Sequence, residues 1–249
     1  ELISQLKTYK GSTTQEFRKR MSQQAFSETA YYDSAISNYF SKISNIRFPQ
    51  KRIIHGNLIE RLRYGENPHQ ESAVYSESSN LEINKVHGKE LSYNNYNDIF
   101  SALEISKSLP KNTGTVIVKH ANPCGVSVHK NNLNSYKAAL ACDPISAFGG
   151  IVSCNFRVTK PIALELNKIF LEVVIANGFD KSSLKILKSK KNLRLIDASN
   201  YLLDGIMKSN SSNRSILVQT EDKQIFSKKN FKVVSKKKPS KSQFENLIR

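Results

Sequence analysis

The six residues TVIVKH at 115–120 constrain the fold more than any other stretch of this chain. A continuous β-branched run belongs to a strand covered on both faces, and such strands occur where helices pack on either side of a sheet. Around it the pattern alternates. The spacing predicts strands at SAVYS (72–76), GGIVSC (149–154), LEVVIA (171–176), LRLID (193–197) and SILVQT (215–220). Helices are predicted over NYNDIFSALEISKSL (95–109), NSYKAALA (134–141), KPIALELNKIF (160–170) and KSSLKILKSK (181–190), with Ile99, Leu103 and Ile105 or Leu109 facing inward in the first. RIIHGNLIERLRY (52–64) reads as extended and GENPHQ as a turn. Strands alternating with helices imply an α/β layered domain.

Upstream of Lys42, the stretch from Thr14 reads as two helices. Thr13 or Thr14 is the N-cap and Glu16 lies in the first turn, with Phe17, Met21 and Phe26, then Ala30, Ile36, Tyr39 and Phe40, at roughly helical spacing. Pro49 and the basic FPQKR break the pattern, which places a boundary near residue 48. After about Lys228 the chain turns basic, and KPSKSQFENLIR reads as a linker entering a helix. The start, ELISQLKTYK, has neither an initiator methionine nor the apolar core of a signal peptide, so we expect a piece of something longer.

The content of hydrophobic residues, 39%, agrees with a soluble globular class, and no apolar run approaches the roughly 20 residues needed to span a bilayer. Cys124, Cys142 and Cys154 are odd in number and widely spaced, which argues against a disulfide framework or a zinc knuckle and fits a reducing cytoplasm. The formal charge of +17 invites a nucleic-acid reading, since lysine and arginine bind phosphate backbones through counterion release. Much of the excess sits in 181–194 and 227–242, which are lysine-rich with few aromatics and no nucleic-acid signature. A solvated face and a linker explain them as well; a basic RNA-binding module stands as the alternative.

Three stretches could carry chemistry. RLRYGENPHQ (61–70) sets Arg63 and Tyr64 beside Gly65. A guanidinium fork suits a phosphate, and a polar surface turn is the other reading. In VKHANPCG, Lys119 and His120 can reach one site only if the strand ends there, and Asn122-Pro123 favours that ending. A cation beside an imidazole favours the neutral ring, which suits a general base next to an electrostatic stabiliser. The pair is equally open to a structural reading. The third stretch, CDPISAFGGIVSCN (142–155), carries a small-residue turn that fits a ligand site or close layer packing. His120-Ala121-Asn122 with Pro123-Cys124 lacks the glutamate and second cysteine of a zinc deaminase, so no metal is expected.

RYGENPHQ, GKELSYNNYND (88–98), VKHANPCGV, DPISAFGGIVSCN and KKNLRLI (190–196), in this order, resemble the family of bifunctional purine-biosynthesis proteins that join a formyltransferase to IMP cyclohydrolase. Residues 1–48 resemble the closing helices of the cyclohydrolase domain. The resemblance implies a cytidine-deaminase-like α/β layered sheet as the first formyltransferase unit at 49–228, preceded by a short helical segment, with a basic linker and the start of a second unit at 229–249. It implies formyl transfer from 10-formyltetrahydrofolate, as cosubstrate, to 5-aminoimidazole-4-carboxamide ribotide, in a homodimer of the cytoplasm with no metal, nucleic acid or membrane partner. By the same resemblance Lys119 and His120 are the catalytic pair. Arg63 and Tyr64 hold the ribotide, Asn95 is a further contact, and Phe148, Gly149 and Gly150 lie close to it. The body of the cyclohydrolase domain and the second formyltransferase unit are missing from the sequence, so we expect this chain alone to be inactive.

Overall fold

The computed structural model describes residues 1–202, 208–212, 214–220, 222 and 231–248. The chain falls into two compact units, residues 1–202 and 203–249. The boundary expected at 228–229 and the start of the basic stretch 227–242 lie outside the described residues.

The first unit opens with α1 (Leu2–Thr8) and α2 (Gln15–Ile43). Where two helices were expected between Thr14 and Lys42, the chain forms one of 29 residues. It contains neither glycine nor proline to break it, and the Thr14 side chain accepts the Phe17 N–H at its start. The apolar positions at helical spacing are mostly outside: Phe17 is buried, but Phe26 is 76% exposed and Phe40 57%. The opposite side of α2 meets a hairpin made of β1 (Asn57–Leu62) and β2 (Ser72–Ser76). There the Tyr31 hydroxyl donates to the Glu77 carbonyl at 3.1 Å, and the Tyr31 and His55 rings meet edge to face.

Six strands make the central sheet, in the order β3 (Asn84–His87), β8 (Arg194–Asp197), β7 (Val173–Ala176), β6 (Ile151–Cys154), β4 (Gly114–Lys119) and β5 (Asn122–Val128). The three middle members β6, β7 and β8 are parallel, joined through α5 (Lys160–Leu166) and α6 (Lys181–Leu187), and the remaining pairings are antiparallel. Alternate residues serve two cores, as the pleat requires. Ile117, Val152, Val174 and Leu195 pack in a core that also holds Tyr136, Ile162 and Leu187 from α4 (Asn132–Cys142), α5 and α6. Val116, Val118, Ile151, Val173 and Ile196 join Ile99 and Leu103 of α3 (Tyr93–Ser108), with Leu62 and Val74 of the hairpin. The expected α/β layered architecture is present, and TVIVK is covered on both faces.

Two strands of the central sheet escaped the sequence reading. The chain does stop extending at Lys119, but it doubles back at once as β5, with Lys119 opposite Asn122. Pro123 is tolerated because β5 is the sheet edge, where one side of the strand needs no partner. Gly125 is needed there: a Cβ would sit 2.0 Å from the Ala139 carbonyl oxygen of α4. The other missed strand, β3, is a short edge strand with no fully buried residue, so it carries little hydrophobic signal.

In the second unit, β9 (Lys208–Ser212), also unexpected, pairs with β10 (Ser215–Gln219), and α7 (Lys241–Ile248) follows. Among the described residues no helix is long and apolar enough to cross a membrane.

Candidate active site

Of the predicted residues, Lys119, His120 and the Phe148–Gly150 turn gather where β4 ends and β6 begins. Lys119, the last residue of β4, is half-buried, and its ammonium donates to the Phe148 carbonyl at 2.9 Å. This contact joins the lysine to the Phe148–Gly150 turn. Asp143 organises that turn: its carboxylate accepts from the Ser146 hydroxyl and from the Ser146 N–H at 2.9 Å, and these bonds hold its pKa below the ordinary value. Gly149 takes φ +73°, a conformation side chains rarely adopt, and donates its N–H to the Phe170 carbonyl at 2.8 Å. Gly150 is buried, with space so tight that a Cβ would lie 3.0 Å from the Val118 carbonyl oxygen.

His120 is exposed at the tip of the β4–β5 hairpin. It and Ala121 form the two-residue loop, with φ of 53° and 59°. Two positive φ values are the mark of a type I′ turn, which normally calls for Asn-Gly. For residues with a Cβ, the left-handed region costs roughly 1–2 kcal/mol each. Two hydrogen bonds offset this cost: Asn122 donates from Nδ2 to the His120 carbonyl at 2.9 Å, and Asp98 of α3 accepts the Ala121 N–H at 2.7 Å.

Asn95 proves to be engaged in structure. It is 5% exposed and closes a capping box with Ser92, each side chain accepting the other's backbone N–H. Its amide also donates to Glu172 at 2.9 Å. Glu172 stands at the entrance to β7 and faces Arg194, the first residue of β8, at 3.6 Å, while Arg194 donates from Nε to the Glu90 carbonyl at 2.9 Å.

Arg63 and Tyr64 lie at a separate cleft of about 490 Å³. The exposed guanidinium of Arg63 rests over the Tyr64 ring, 5.0 Å from its centroid. Arg61, Lys89 and Arg194 line the same cleft together with Ser92, the N-cap of α3. Glu60, also in the lining, accepts a hydrogen bond from the Tyr96 phenol, whose pKa is raised by burial and by that bond. Four cations beside a helix N-terminus, against the two carboxylates Glu60 and Glu90 of the same lining, leave the cleft net positive.

The cleft and the Lys119–His120 turn share α3 as a neighbour. Asn94 donates to the Glu66 carbonyl at 3.5 Å, in the loop that follows Arg63 and Tyr64, and Asp98 holds Ala121. Asp98, Lys89, Glu172 and Arg194 were missed as contributors. Asp98 and Lys89 fall inside GKELSYNNYND, but nothing in their spacing says which loop they reach. Among the described residues, no cluster of three or more His, Cys, Asp or Glu side chains is placed to hold a metal ion.

The structure is thus an α/β protein in which a strand end bearing lysine and histidine lies next to a glycine turn, and α3, which reaches that strand end through Asp98, begins at the cationic cleft. The family model described as AICARFT/IMPCHase bienzyme matches residues 1–248, and the chain belongs to that family. Its relatives include the bifunctional purine biosynthesis protein PurH of Thermoanaerobacter sp. (strain X514), 41% identical across 99% of this chain and 49% of that protein. PurH of Rhizobium rhizogenes is 40% identical over 99% of this chain and 47% of its own length, and that of Prochlorococcus marinus (strain MIT 9515) 42% over 96% and 48%. The chain thus spans about half the length of the curated relatives it matches. Among solved structures, RibD of Acinetobacter baumannii (form 2) aligns with 40% of this chain and 34% of its own at 19% identity, and its TM-score of 0.31 carries no argument about fold.

Proposed function

We propose that this chain supplies the ribotide-facing half of a formyltransferase site, in a protein that moves a formyl group from 10-formyltetrahydrofolate to 5-aminoimidazole-4-carboxamide ribotide. The complete protein then closes the product to inosine monophosphate through its cyclohydrolase domain. Membership of the family supports the reading, and one observation carries it: the Lys119 ammonium is held at the glycine turn by the Phe148 carbonyl, with His120 next to it in a constrained hairpin tip.

The substrate amine is a poor nucleophile because its lone pair is delocalised into the imidazole and carboxamide. As it attacks the formyl carbon it must lose a proton, and His120 takes that proton as general base. The carbonyl oxygen gains negative charge in the tetrahedral intermediate. Lys119, fixed by the Phe148 carbonyl, offers its remaining N–H groups to that charge or a proton to the departing folate nitrogen. Arg63 and Tyr64 hold the phosphate end of the ribotide, and Lys89 reinforces the field of the cleft. The Phe148–Gly150 turn brings backbone close to the bound ring. Asn95, spent on the α3 cap and on Glu172, acts by bracing the site. The unit is read as cytidine-deaminase-like, the complete protein as a cytoplasmic homodimer.

The RNA-binding alternative loses part of its basis in 181–194, where the Lys190 ammonium is committed to the Ile169 carbonyl and Arg194 to Glu90 and Glu172. Calorimetry with the ribotide tests the reading. Arg63→Ala weakens binding by about tenfold or more, as expected for loss of a charge-assisted contact, and Lys119→Ala or His120→Ala in the full-length protein abolishes formyl transfer. An unchanged affinity in Arg63→Ala, or undiminished turnover in both other variants, contradicts it.

A further inference from the structure

We infer that Asp98 is a positioning residue that sets the orientation of His120. The inference rests on the reading of His120 as the proton acceptor and concerns what keeps its ring where that role needs it. His120 and Ala121 both occupy the left-handed region, although neither is glycine or asparagine. Side chains stay there only when the surroundings hold them. Two of the restraints, the pairing of Lys119 with Asn122 and the bond from Asn122 to the His120 carbonyl, belong to the hairpin itself and travel with it. The third comes from outside. Asp98 accepts the Ala121 N–H at 2.7 Å, and a carboxylate acceptor makes this bond stronger than a neutral one.

Its mount is rigid. Ile99, the next residue, is fully buried, and Leu103 one turn on is 1% exposed, so the backbone that carries Asp98 is fixed in the core against β4 and β6. Asp98 therefore ties a conformation the turn would otherwise leave to a helix packed into the core. Without it, Ala121 is free to return to negative φ, the turn changes type, and the His120 side chain is redirected. Asp98 touches no reacting atom in this account.

The test uses the 249-residue chain, with His120 followed through its imidazole resonances and Ala121 through the solvent-exchange rate of its amide. Asp98→Ala moves the His120 signals and speeds Ala121 exchange by about tenfold or more, the loss expected for a charge-assisted hydrogen bond. Asp98→Asn keeps an oxygen able to accept, so the His120 signals stay at their parental positions and Ala121 exchange rises less than in Asp98→Ala. Ala121→Gly added to Asp98→Ala restores the His120 signals, because glycine takes positive φ without a steric cost. Unchanged His120 signals and Ala121 exchange in Asp98→Ala overturn the inference. If Asp98→Ala fails to fold, the double variant decides: a folded spectrum with parental His120 signals supports the positioning role, and a second failure to fold overturns it. These comparisons need no ligand. A His120 signal in the parent chain that ignores added ribotide contradicts the functional reading and leaves the Asp98 result standing.

Discussion

Lys119 was legible in the sequence because a β-branched run closing on Asn122-Pro123 has to stop extending, and an ammonium at that point has a defined place to go. His120 was legible only as its neighbour. Its left-handed conformation has no sequence signal, since the Asn-Gly pair that usually announces such a loop is replaced by His-Ala. Asn95 has structural partners that no local pattern announced. A polar side chain inside a shared motif looked like a ligand contact, and the structure occupies it with a helix cap and a carboxylate. Asp143, passed over as part of a turn, governs the segment that accepts the Lys119 bond. Its hydrogen bonds with the Ser146 hydroxyl and N–H lower its pKa in the fold, so the charged form is favoured there. The stabilisation is complete above the ordinary value of 3.8 and is lost as pH falls through the lower folded-state value. Asp143→Asn is therefore less stable than the parent at neutral pH, and urea midpoints of the two proteins converge in strong acid; a gap that persists there contradicts the assignment.

At the scale of elements, α3 organises the site. Its buried face is the inward set read from the spacing, Ile99 and Leu103, with Ile105 and Leu109 partly buried against the same core. Its polar edge was not legible: Asn94, Asn95 and Asp98 reach three different segments, Glu66, Glu172 and Ala121, and no local pattern encodes partners that distant in sequence. The capping box at Ser92 fixes where the helix begins, and hence where this edge points. Ser92→Ala lowers stability by about 1 kcal/mol, read from the urea midpoint at constant slope, and weakens ribotide binding through the displaced Asn94 and Asn95. A loss of stability with affinity intact would confine the cap to folding. The α2 reading failed for a related reason. Helical spacing of apolar residues reports one helix or two equally well, and it says nothing about whether that face is covered within this chain.

Across the whole molecule, the alternation of strands and helices was enough to give the layered α/β architecture, because parallel strands joined by helices leave few other ways to bury both faces of a sheet. The hairpin return of β5 and the edge strand β3 were hidden, one behind a proline that an edge tolerates and the other behind its low burial. The chain covers about half the length of its relatives, and α2 presents Phe26, Tyr39 and Phe40 well exposed. The proposed function requires the strand end and the cationic cleft to serve one ligand. A crystal structure of the ribotide complex measures this directly. The account predicts the phosphate against Arg63 and Tyr64, with the amine facing His120 and Lys119; a ribotide seated on only one of these pairs, with the other facing solvent, contradicts it.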